Sequence, residues 1–483
     1  MLKLNPGKKH EIHVKNKPND YVIRILNSPL DVDGAAWNAL LAAQSPDGVL
    51  NPFMRHEYLA ALHASGSAAP RTGWTSCFIT LWQGGALAGA CALYLKAHSY
   101  GEYVFDWAWA NAYQQHGLAY YPKAVVAVPF TPVPGARLLA RNAAERVLLI
   151  KALLAWCEEE KLSSLHLLFA ADDDVAACAE AGLMLRHTVQ FHWTNSAPTL
   201  PATRGSLPPE GAAPPAVRQS RPCGRNLEER VQLSPRSEVK DAPAEASVPH
   251  QFTSFDDFLM SLSQEKRKKI RQERRRVADA GIRFRWALGT DITGTDWDFF
   301  YRCYERTYLE HGNAPYLSRD FFHRMAATMP ENWLMFTAEH DANGSYRPVA
   351  TSLIAISARP ACVKGQNDGE NAPTAPPLDQ GMTAYGRYWG ALARVDCLHF
   401  EACYYQPLQW CITHGYSRFE GGAQGEHKMA RALLPVKTTS AHWLAHPSFA
   451  DAVERFLERE GAGIDSYMDE LERRSPFKAG AVA

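Results

Sequence analysis

The 483-residue sequence predicts two related α/β domains in tandem. The first observation is a repeated β-hairpin pattern, in which two apolar runs flank a glycine-containing turn. It occurs as "SCFITLWQGGALAGACALYLKA" at 76–97 and as "NWLMFTAEHDANGSYRPVATSLIAIS" at 332–357. The second observation is that the same three short motifs follow each hairpin in the same order. Chance explains one such match but not an ordered series, so we expect one fold to occur twice.

The three motifs define the elements that we expect after each hairpin. They are Tyr-Gly-x-Tyr, then a helix that carries Trp-Cys and leads into a strand, and then a final strand that contains His-Trp. Gly415 is expected to terminate the second of these helices. The matching positions are Tyr100-Gly101-Glu102-Tyr103 and Tyr385-Gly386-Arg387-Tyr388, Trp156-Cys157 and Trp410-Cys411, and finally 190–193 and 440–443.

Composition separates the predicted domains from polar segments. Residues 195–250 hold ten of the 31 prolines in 56 residues, and 361–382 have the same character. Such segments bury too little apolar surface to offset the entropy of ordering, so both are predicted to be disordered. Apolar residues at helical spacing over 449–471 predict two C-terminal helices. The expected order is a flexible segment at 1–20, a first domain at 21–194, the insertion at 195–250, and a basic helix with the second domain at 251–478.

Bulk composition favours a soluble intracellular protein. Hydrophobic residues make up 46% of the chain, which is enough for a large core. Lys plus Arg equals Asp plus Glu at 51 each, so net charge does not indicate a nucleic-acid or membrane partner. The ten cysteines form no C-x-x-C pair, as is typical of free thiols in a reducing compartment. Without a signal peptide or a run of ~18 apolar residues, we expect a cytoplasmic protein with no transmembrane segment.

A strongly basic helix is predicted between the halves, at 255–277. Its apolar stripe begins at Phe255, Phe258 and Leu259 and continues at Ile270 and Val277. Solvation of the charged face and binding of an anionic partner, such as tRNA, a phosphate or a phospholipid headgroup, both explain the charge run. Its eight cations are Lys266, Arg267, Lys268, Lys269, Arg271, Arg274, Arg275 and Arg276.

Four stretches of the sequence carry a family resemblance, namely "AYYPKAVVAVPFTPVPGARLL", "LSQEKRKKIRQERRRVADAGI", "FEACYYQPLQWCITHG" and "RFEGGAQGEHKMARALLPVKTTSAHW". With them the sequence resembles the FemAB-like branch of the GNAT acyltransferase superfamily. The likeness extends from about Asn51 to Phe477, apart from the two insertions. The resemblance implies tandem duplicated GNAT-like domains, each with a mixed, mostly antiparallel sheet flanked by helices. It also implies transfer of an acyl or aminoacyl group to an amine, such as that of a peptidoglycan-type precursor.

Two acyl donors are consistent with this resemblance. Aminoacyl-tRNA is the donor of the better-known Fem relatives and acyl-coenzyme A that of GNAT enzymes, so no tightly bound cofactor is expected. The chain lacks the long heptad-repeat arm of several Fem proteins. Its match to the GNAT phosphate-binding pattern, at Arg418, Gly421 and Ala423, follows the helix that such a loop should precede. The donor therefore stays open, and the basic helix is the expected place of contact with tRNA.

The candidate catalytic stretch is "RFEGGAQGEHKMARALLP" at 418–435. Acyl transfer to an amine needs a base for the ammonium proton, donors for the developing oxyanion and alignment of both substrates. We expect Glu426 and His427, at the start of a predicted helix, to move the proton. The matching loop of the first half, "LLFAADDDVAACAEAGL", has no Gly-Gly and no His, which favours function over a plain helix cap. Expected substrate contacts are Gly421, Gly422, Gln424, Gly425, Lys428 and Arg431.

A second candidate group lies in "CLHFEACYYQP" at 397–407, at the predicted entrance of a helix. Recognition of a polar acceptor and ordinary core packing both explain these residues, which are His399, Glu401, Tyr404 and Tyr405. Tyr388 is also expected to bind substrate. In the first half, Asp106 and the stretch Tyr120–Lys123 are further candidates that would line a cleft between the domains.

Other chemistries are not supported by the sequence. His442 and His446 have a helical metal-ligand spacing but lie in strand-like sequence before Pro447, so no metal site is predicted. There is no nucleophile elbow and no Walker loop. The leading hypothesis is an N-acyltransferase. The alternative is a non-catalytic protein that recognises RNA or an anionic cell-wall lipid through the basic helix.

Overall fold

The described part of the chain contains two β-sheets, one of five strands and one of eleven. The predicted insertions at 195–250 and 361–382 lie outside the described residues, apart from their ends. Residues 11–14, which fall in the segment predicted to be flexible, form a strand. A computed structural model of the protein describes residues 11–14, 21–45, 47–196, 251–342, 344–358, 381–423 and 425–478.

The smaller sheet is antiparallel throughout. Its spatial order is β1 (Glu11–Val14), β2 (Tyr21–Leu26), β4 (Phe78–Gln83), β5 (Ala86–Cys91) and β8 (Leu139–Ala140). The larger sheet is antiparallel except for the β14–β15 and β7–β9 contacts. Its spatial order is β11 (Ile282–Leu288), β12 (Trp333–Ala342), β13 (Ser345–Ile356), β14 (Thr383–Ala391), β15 (Arg418–Ala423), β10 (Met184–Thr194), β16 (Leu434–Leu444), β9 (Ser164–Ala170), β7 (Lys123–Val126), β6 (Leu93–Lys96) and β3 (Trp74–Ser76).

Helices flank these sheets. Several begin at a side-chain cap, such as Thr293 and Asp296 in a reciprocal capping box. A π-helical segment at Glu401–Tyr405 joins two α-helices into one continuous helix. The α-helices of the described residues are α1 (Gly34–Ala42), α2 (His56–Ala64), α3 (Trp107–Gln115), α4 (Ala143–Glu159), α5 (Asp172–Glu180), α6 (Phe255–Ser261), α7 (Gln264–Asp279), α8 (Gly294–Glu310), α9 (Arg319–Thr328), α10 (Leu398–Phe400), α11 (Gln406–Thr413) and α12 (Pro447–Arg473).

The two halves repeat one order of elements, which confirms the predicted duplication and fold class. In both halves a strand and two helices precede a hairpin, another strand, a helix carrying Trp-Cys and two further strands, and the first half has additional elements in this order, including α3, β8 and α5. Gly415, with φ of +74°, follows α11, and the amide of Tyr416 donates to the carbonyl of Cys411 at 2.9 Å. This glycine C-cap is the predicted one.

The last strands of the two halves are exchanged. β10 ends the first half but pairs with β15 of the second, and β16 ends the second half but pairs with β9 of the first. β10 and β16 also pair with each other. On either side of this central pair, the first strand pairs antiparallel with it. The next pairing outward is parallel, and those beyond it are antiparallel again. The halves therefore share one sheet, with the exchanged strands at its centre.

An aromatic core joins the halves on one face of this sheet. The ring of Phe53 makes edge contacts with Tyr58 and with Tyr385 of the second half. The hydroxyls of Tyr58 and Tyr388 lie 3.1 Å apart. Arg55 adds buried polar contacts to the second half, at Asn332. Since these groups are buried, the junction between the halves is a packed interior and fixes the geometry of any site beside it.

Three expected features of the chain are wrong. Tyr100–Tyr103 lie in a loop whereas Tyr385–Tyr388 lie in β14, so the Tyr-Gly-x-Tyr match does not join equivalent positions. The predicted basic helix is two helices, α6 and α7, with a break at Leu262 and Ser263. The two C-terminal helices are one, α12, because packing against β10 and β16 outweighs the roughly 1 kcal/mol cost of each internal glycine.

Two further findings concern the cysteines and the helices. All eight cysteines in the described part of the chain are free, and six of them are buried. Within the described ranges, no helix has both the length and the apolarity that a membrane crossing requires.

Candidate active site

Two parallel strands of the second half, β14 and β15, pair for only three residues and then part. Thr383–Tyr385 pair with Arg418–Glu420, after which β14 remains with β13 and β15 with β10. Where the two strands part, β14 has a β-bulge. Consecutive residues of the neighbouring strand β13 pair with Gly386 and Tyr388, so Arg387 is the extra residue. Bulges re-aim side chains and are common beside active sites. The parting strands therefore open a gap at Arg387.

Three titratable side chains lie around Gly422 at this gap, and we call Arg387, Glu420 and Lys428 the splay cluster. The ammonium of Lys428 donates to the carbonyl of Gly422 at 2.9 Å. A Cβ on Gly422 would lie 3.7 Å from a terminal nitrogen of Arg387. Burial raises the pKa of Glu420 to about 7, although Arg418 and Arg387 oppose the shift. Burial and the nearby Arg387 lower the pKa of Lys428 to about 8. An acid and an amine that titrate near neutrality thus lie beside a permanent cation.

Arg387 lines a cleft between the halves with a volume of ≈ 410 Å³. One terminal nitrogen donates to the carbonyl of Phe130 in the first half at 2.8 Å. Its Nε is buried and has no hydrogen-bond partner among the described residues. A guanidinium that lines an aromatic-walled cleft is complementary to an anionic group of a ligand. The walls include Tyr103, Phe130, Tyr304, Tyr308, Tyr388 and Trp389.

Several residues that the sequence predicts do lie at this place. Gly421 and Gly422 lie on β15, and a Cβ on Gly421 would come within 2.5 Å of Leu433, so the close packing requires glycine there. Tyr388 lines the cleft. Gly425 and Glu426 line an adjoining cavity of ≈ 320 Å³, which shares Tyr103 with the first. Gln424 is outside the described residues.

Glu426 is exposed and has two partners on the C-terminal helix. The hydroxyl of Tyr467 donates to its carboxylate at 2.7 Å, and Arg474 donates at 3.1 Å. The hydroxyl of Tyr467, followed by Arg474, lowers the pKa of this carboxyl. The expected α-helix is a six-residue 3-10 helix at Glu426–Arg431, so no long helix directs its dipole at this place. Glu426 is therefore a weaker proton acceptor than the sequence suggested.

His427 and His399 form a separate aromatic group with Tyr404. The hydroxyl of Tyr404 lies 3.3 Å from Nε2 of His427, and the ring of His399 packs edge-on against that of Tyr404. Burial lowers the pKa of His427, and burial with the nearby His427 and Arg431 lowers that of His399 to about 4. Both imidazoles are therefore neutral at pH 7. Neither is among the residues that line the two cavities of the cleft, and of the splay cluster only Arg387 is.

Glu401, Tyr405 and Arg431 hold helix α7 against the second half instead of facing the cleft. Arg431 donates to the carboxylate of Glu273 on α7 at 3.0 and 3.2 Å, and the hydroxyl of Tyr405 donates to the same carboxylate. On the same helix, Arg274 donates to Glu401 at 3.1 and 3.2 Å. These three residues contact other parts of the protein and are not among those that line the two cavities, while their expected contacts with substrate stay a prediction.

The opposite side of α7 is a basic face in solvent, which we define by Arg267, Lys268, Lys269, Arg271, Arg275 and Arg276. Ile270, Glu273 and Val277 form the buried side of the helix. Among the described residues, no acidic side chain forms an ion pair with Lys268 or Arg275, and Arg271 has only a loose contact to Asp256 at 3.6 Å. A groove of ≈ 680 Å³ follows this face.

Sequence reasoning missed Arg387 and Glu420 as site residues. Each is a charged residue next to glycine inside a strand, in "AYGRYWG" and "RFEGG". A buried strand that keeps a charge usually has a specific reason for it. That signal was available, but the β-bulge that turns Arg387 toward the cleft was not. Within the described ranges, no three His, Cys, Asp or Glu side chains converge as a metal-binding group.

Glu420→Gln is expected to stabilise the protein most at alkaline pH. Folding raises the pKa of this carboxyl from 4.5 to about 7. Its contribution to stability is therefore fully present below pH 4.5 and is lost as the pH rises through 7. Glutamine does not titrate, so the advantage of the variant should grow between pH 5 and pH 8, by at most about 3 kcal/mol. Urea denaturation at both values measures it, and an advantage independent of pH would contradict the raised pKa.

Comparison with known proteins places the chain in a family. It matches the model of FemAB-like proteins, described as peptidoglycan biosynthesis/recognition, over residues 28–199 and 246–479. No curated protein matches it in sequence. Matching solved structures include FemX, with 9% identity, a TM-score of 0.44 and coverage of 88% of this chain and 98% of that chain.

Two further solved structures match the chain. The C-terminal domain of a putative lysylphosphatidylglycerol synthetase from Agrobacterium fabrum has 8% identity and a TM-score of 0.44, with 88% of this chain and 96% of that chain covered. A tandem GNAT protein from the clavulanic acid biosynthesis pathway has 11% identity and a TM-score of 0.38, with 88% and 99% covered. The family match includes both halves and all three residues of the splay cluster. The chain therefore belongs to the FemAB-like family of peptidoglycan biosynthesis/recognition proteins.

Proposed function

We propose that the protein is an N-acyltransferase that moves an acyl or aminoacyl group onto an amine of a peptidoglycan-type acceptor. Family membership supports this reaction class. The observation that carries the proposal is that Arg387 lines the aromatic-walled cleft between the halves. A guanidinium in such a cleft holds anionic groups well, and both acyl donors and cell-wall precursors carry phosphate or carboxylate groups.

The splay cluster provides the proton chemistry in this proposal. The attacking amine arrives as an ammonium ion and must lose a proton before or during attack on the acyl carbonyl. As the new N–C bond forms, the bond between the carbonyl and the donor breaks, and the tRNA hydroxyl or the coenzyme A thiol leaves with a second proton from the amine. Glu420, with a pKa of about 7, is close to half ionised at neutral pH and is the proposed proton acceptor. Arg387 holds an anionic group of the substrate in the cleft. Lys428, whose ammonium donates to the carbonyl of Gly422, is the proposed second cation for the negative charge that develops on the carbonyl oxygen.

Arg387→Ala is expected to raise KM for the acceptor by about 10- to 100-fold, because a charge-assisted hydrogen bond to the acceptor is lost. Steady-state kinetics with saturating donor measure this change. Arg324→Ala is the matched control that removes a cation away from the cleft, because Arg324 lies on the surface of α9 and its one ion pair within the described residues is with Asp320. Equal KM values in the wild-type protein and in Arg387→Ala would remove the basis of the proposal.

The basic face of α7 is the proposed contact for an aminoacyl-tRNA donor. Its cations follow one side of a helix without interleaved aromatic residues, so the face fits phosphates along a nucleic-acid backbone and not unstacked bases. The triple variant Lys268→Gln, Arg271→Gln, Arg275→Gln is expected to weaken tRNA binding and to reduce the slope of log K against log salt by about 2–3. Filter binding between 50 and 200 mM salt measures both quantities.

A donor assay separates the remaining alternatives. The purified protein is offered labelled aminoacyl-tRNA and labelled acetyl-coenzyme A in parallel, each with a cell extract as the source of acceptor. Transfer from tRNA supports the proposed donor, whereas transfer from acetyl-coenzyme A keeps the acyltransferase but removes the role of the basic face. Salt-sensitive tRNA binding without turnover of either donor would favour a non-catalytic binding protein.

A further inference from the structure

A buried lysine holds the loop that carries Tyr103 into the cleft. The side chain of Lys123, at the start of β7, is fully buried. Its ammonium donates at 2.8 Å both to the hydroxyl of Ser99 and to the carboxylate of Glu102. It also contacts the carboxylate of Asp106. All three acceptors belong to residues 97–106, which we call the Tyr103 loop.

Two further contacts fix the same loop. The buried ammonium of Lys96 donates to the carbonyl of Tyr100 at 3.0 Å, and it lies 3.6 Å from the centre of the Trp74 ring. The amide of Phe130 donates to the carbonyl of Gly101 at 3.1 Å. A Cβ on Gly101 would come within 2.6 Å of the Phe130 ring, so this close approach requires glycine. The loop is therefore attached to the body of the protein on both sides of Tyr103.

Tyr103 has an unusual backbone and a central place. Its φ is +62°, in the left-handed region that side chains other than glycine rarely adopt. It lines both the ≈ 410 Å³ cleft that contains Arg387 and the adjoining ≈ 320 Å³ cavity. A strained conformation of this kind persists only where the surrounding contacts hold it.

The anchor continues into a buried network that reaches the other half. The hydroxyl of Tyr120 donates to Asp106 at 2.6 Å and lies 3.2 Å from Nε2 of His166. His166 in turn lies 2.7 Å from His442 on the exchanged strand β16. Asp106, at the end of the Tyr103 loop, is thus buried together with Tyr120 and Lys123, and the expectation that these residues line a cleft is wrong.

We propose that Lys123 is a positioning residue, whose ammonium holds the Tyr103 loop so that Tyr103 contacts the ligand bound beside Arg387. Burying an ammonium is costly, and an apolar residue of similar size would serve stability alone as well or better. A charged donor shared by three acceptors from one loop instead selects a single loop geometry. The kinetic part of this inference rests on the proposed function, whereas its structural part does not.

The test removes single contacts of the anchor and measures the mobility of the loop. Lys123→Met would leave Asp106 buried without a counter-charge, so the milder variants Ser99→Ala and Glu102→Gln are used. Ser164→Ala is the matched control, because its hydroxyl belongs to the same buried network, 2.8 Å from His166, but does not contact the loop. We expect hydrogen exchange over 98–105 to accelerate by about 10-fold in the first two variants and not in the control.

The kinetic readout is KM together with kcat for each variant. Ser99→Ala should raise KM for the substrate bound beside Arg387 by about 10-fold with little change in kcat. In a protein that already carries Tyr103→Ala, the Ser99→Ala substitution should have no further effect. Unchanged exchange in Ser99→Ala and Glu102→Gln, or equal acceleration in Ser164→Ala, would overturn the inference. If no donor is turned over, the proposed function fails, but the exchange comparison still decides whether Lys123 anchors the loop.

Discussion

Glu420→Gln is expected to lower kcat by about 10²–10⁴-fold while the protein stays folded. The side chain is only 5% exposed, and burial raises its pKa to about 7. A carboxylate with this pKa accepts a proton from an ammonium ion far better than one with the ordinary pKa near 4.5. Glutamine keeps the shape of the side chain but cannot accept the proton. Single-turnover measurements at saturating donor isolate this step from product release.

The matched comparison is Glu426→Gln, which removes a carboxylate six residues away in the same stretch. Glu426 is exposed, and Tyr467 and Arg474 occupy its oxygens, so we expect a much smaller loss of kcat there. Because Glu420→Gln should also be more stable than the wild type at pH 8, a loss of activity at that pH is not caused by unfolding. A larger loss in Glu426→Gln than in Glu420→Gln would restore the assignment that the sequence favours.

Local patterns in the sequence were sufficient for most of the element order. Apolar runs around Gly-rich turns gave the hairpins β4–β5 and β12–β13, and the Trp-Cys helices led to the correct strands. These features depend on neighbours within about 25 residues, where hydrophobic periodicity and turn chemistry decide the structure. The same reasoning located the stretch from Arg418 to Arg431, which contains two of the three residues of the splay cluster.

Contacts between distant segments could not be predicted in this way. The exchange of β10 and β16 depends on pairing between residues about 250 positions apart, such as Thr188 with Thr438, and either arrangement satisfies the local pattern. The β-bulge at Arg387 depends on the register of β13 against β14. Likewise, Arg431 has the sequence surroundings of a substrate-binding cation, but its partner Glu273 lies 158 residues earlier. When these pairings are unknown, the role of such a residue can be predicted from a single sequence only by its neighbours along the chain.

Arg431→Met is expected to lower the free energy of unfolding by about 3 kcal/mol, at the lower end of the range for breaking a buried ion pair. Both side chains of the Arg431–Glu273 pair are at least 90% buried, and removal of the cation leaves the Glu273 carboxylate in the interior. The hydroxyl of Tyr405 still donates to that carboxylate, which limits the loss. Urea denaturation of the purified variant measures the change.

The double variant Glu273→Gln, Arg431→Met separates a structural role of Arg431 from a role in substrate binding. If the pair only attaches α7, neutralising both partners should recover most of the lost stability, because no unpaired charge remains buried. KM for the donor should then return toward the wild-type value, since α7 and its basic face are again in place. If Arg431 instead binds the substrate, as its position beside His427 and Lys428 suggested, the double variant would regain stability and still show a raised KM. The stability and KM of one protein therefore decide between the two roles.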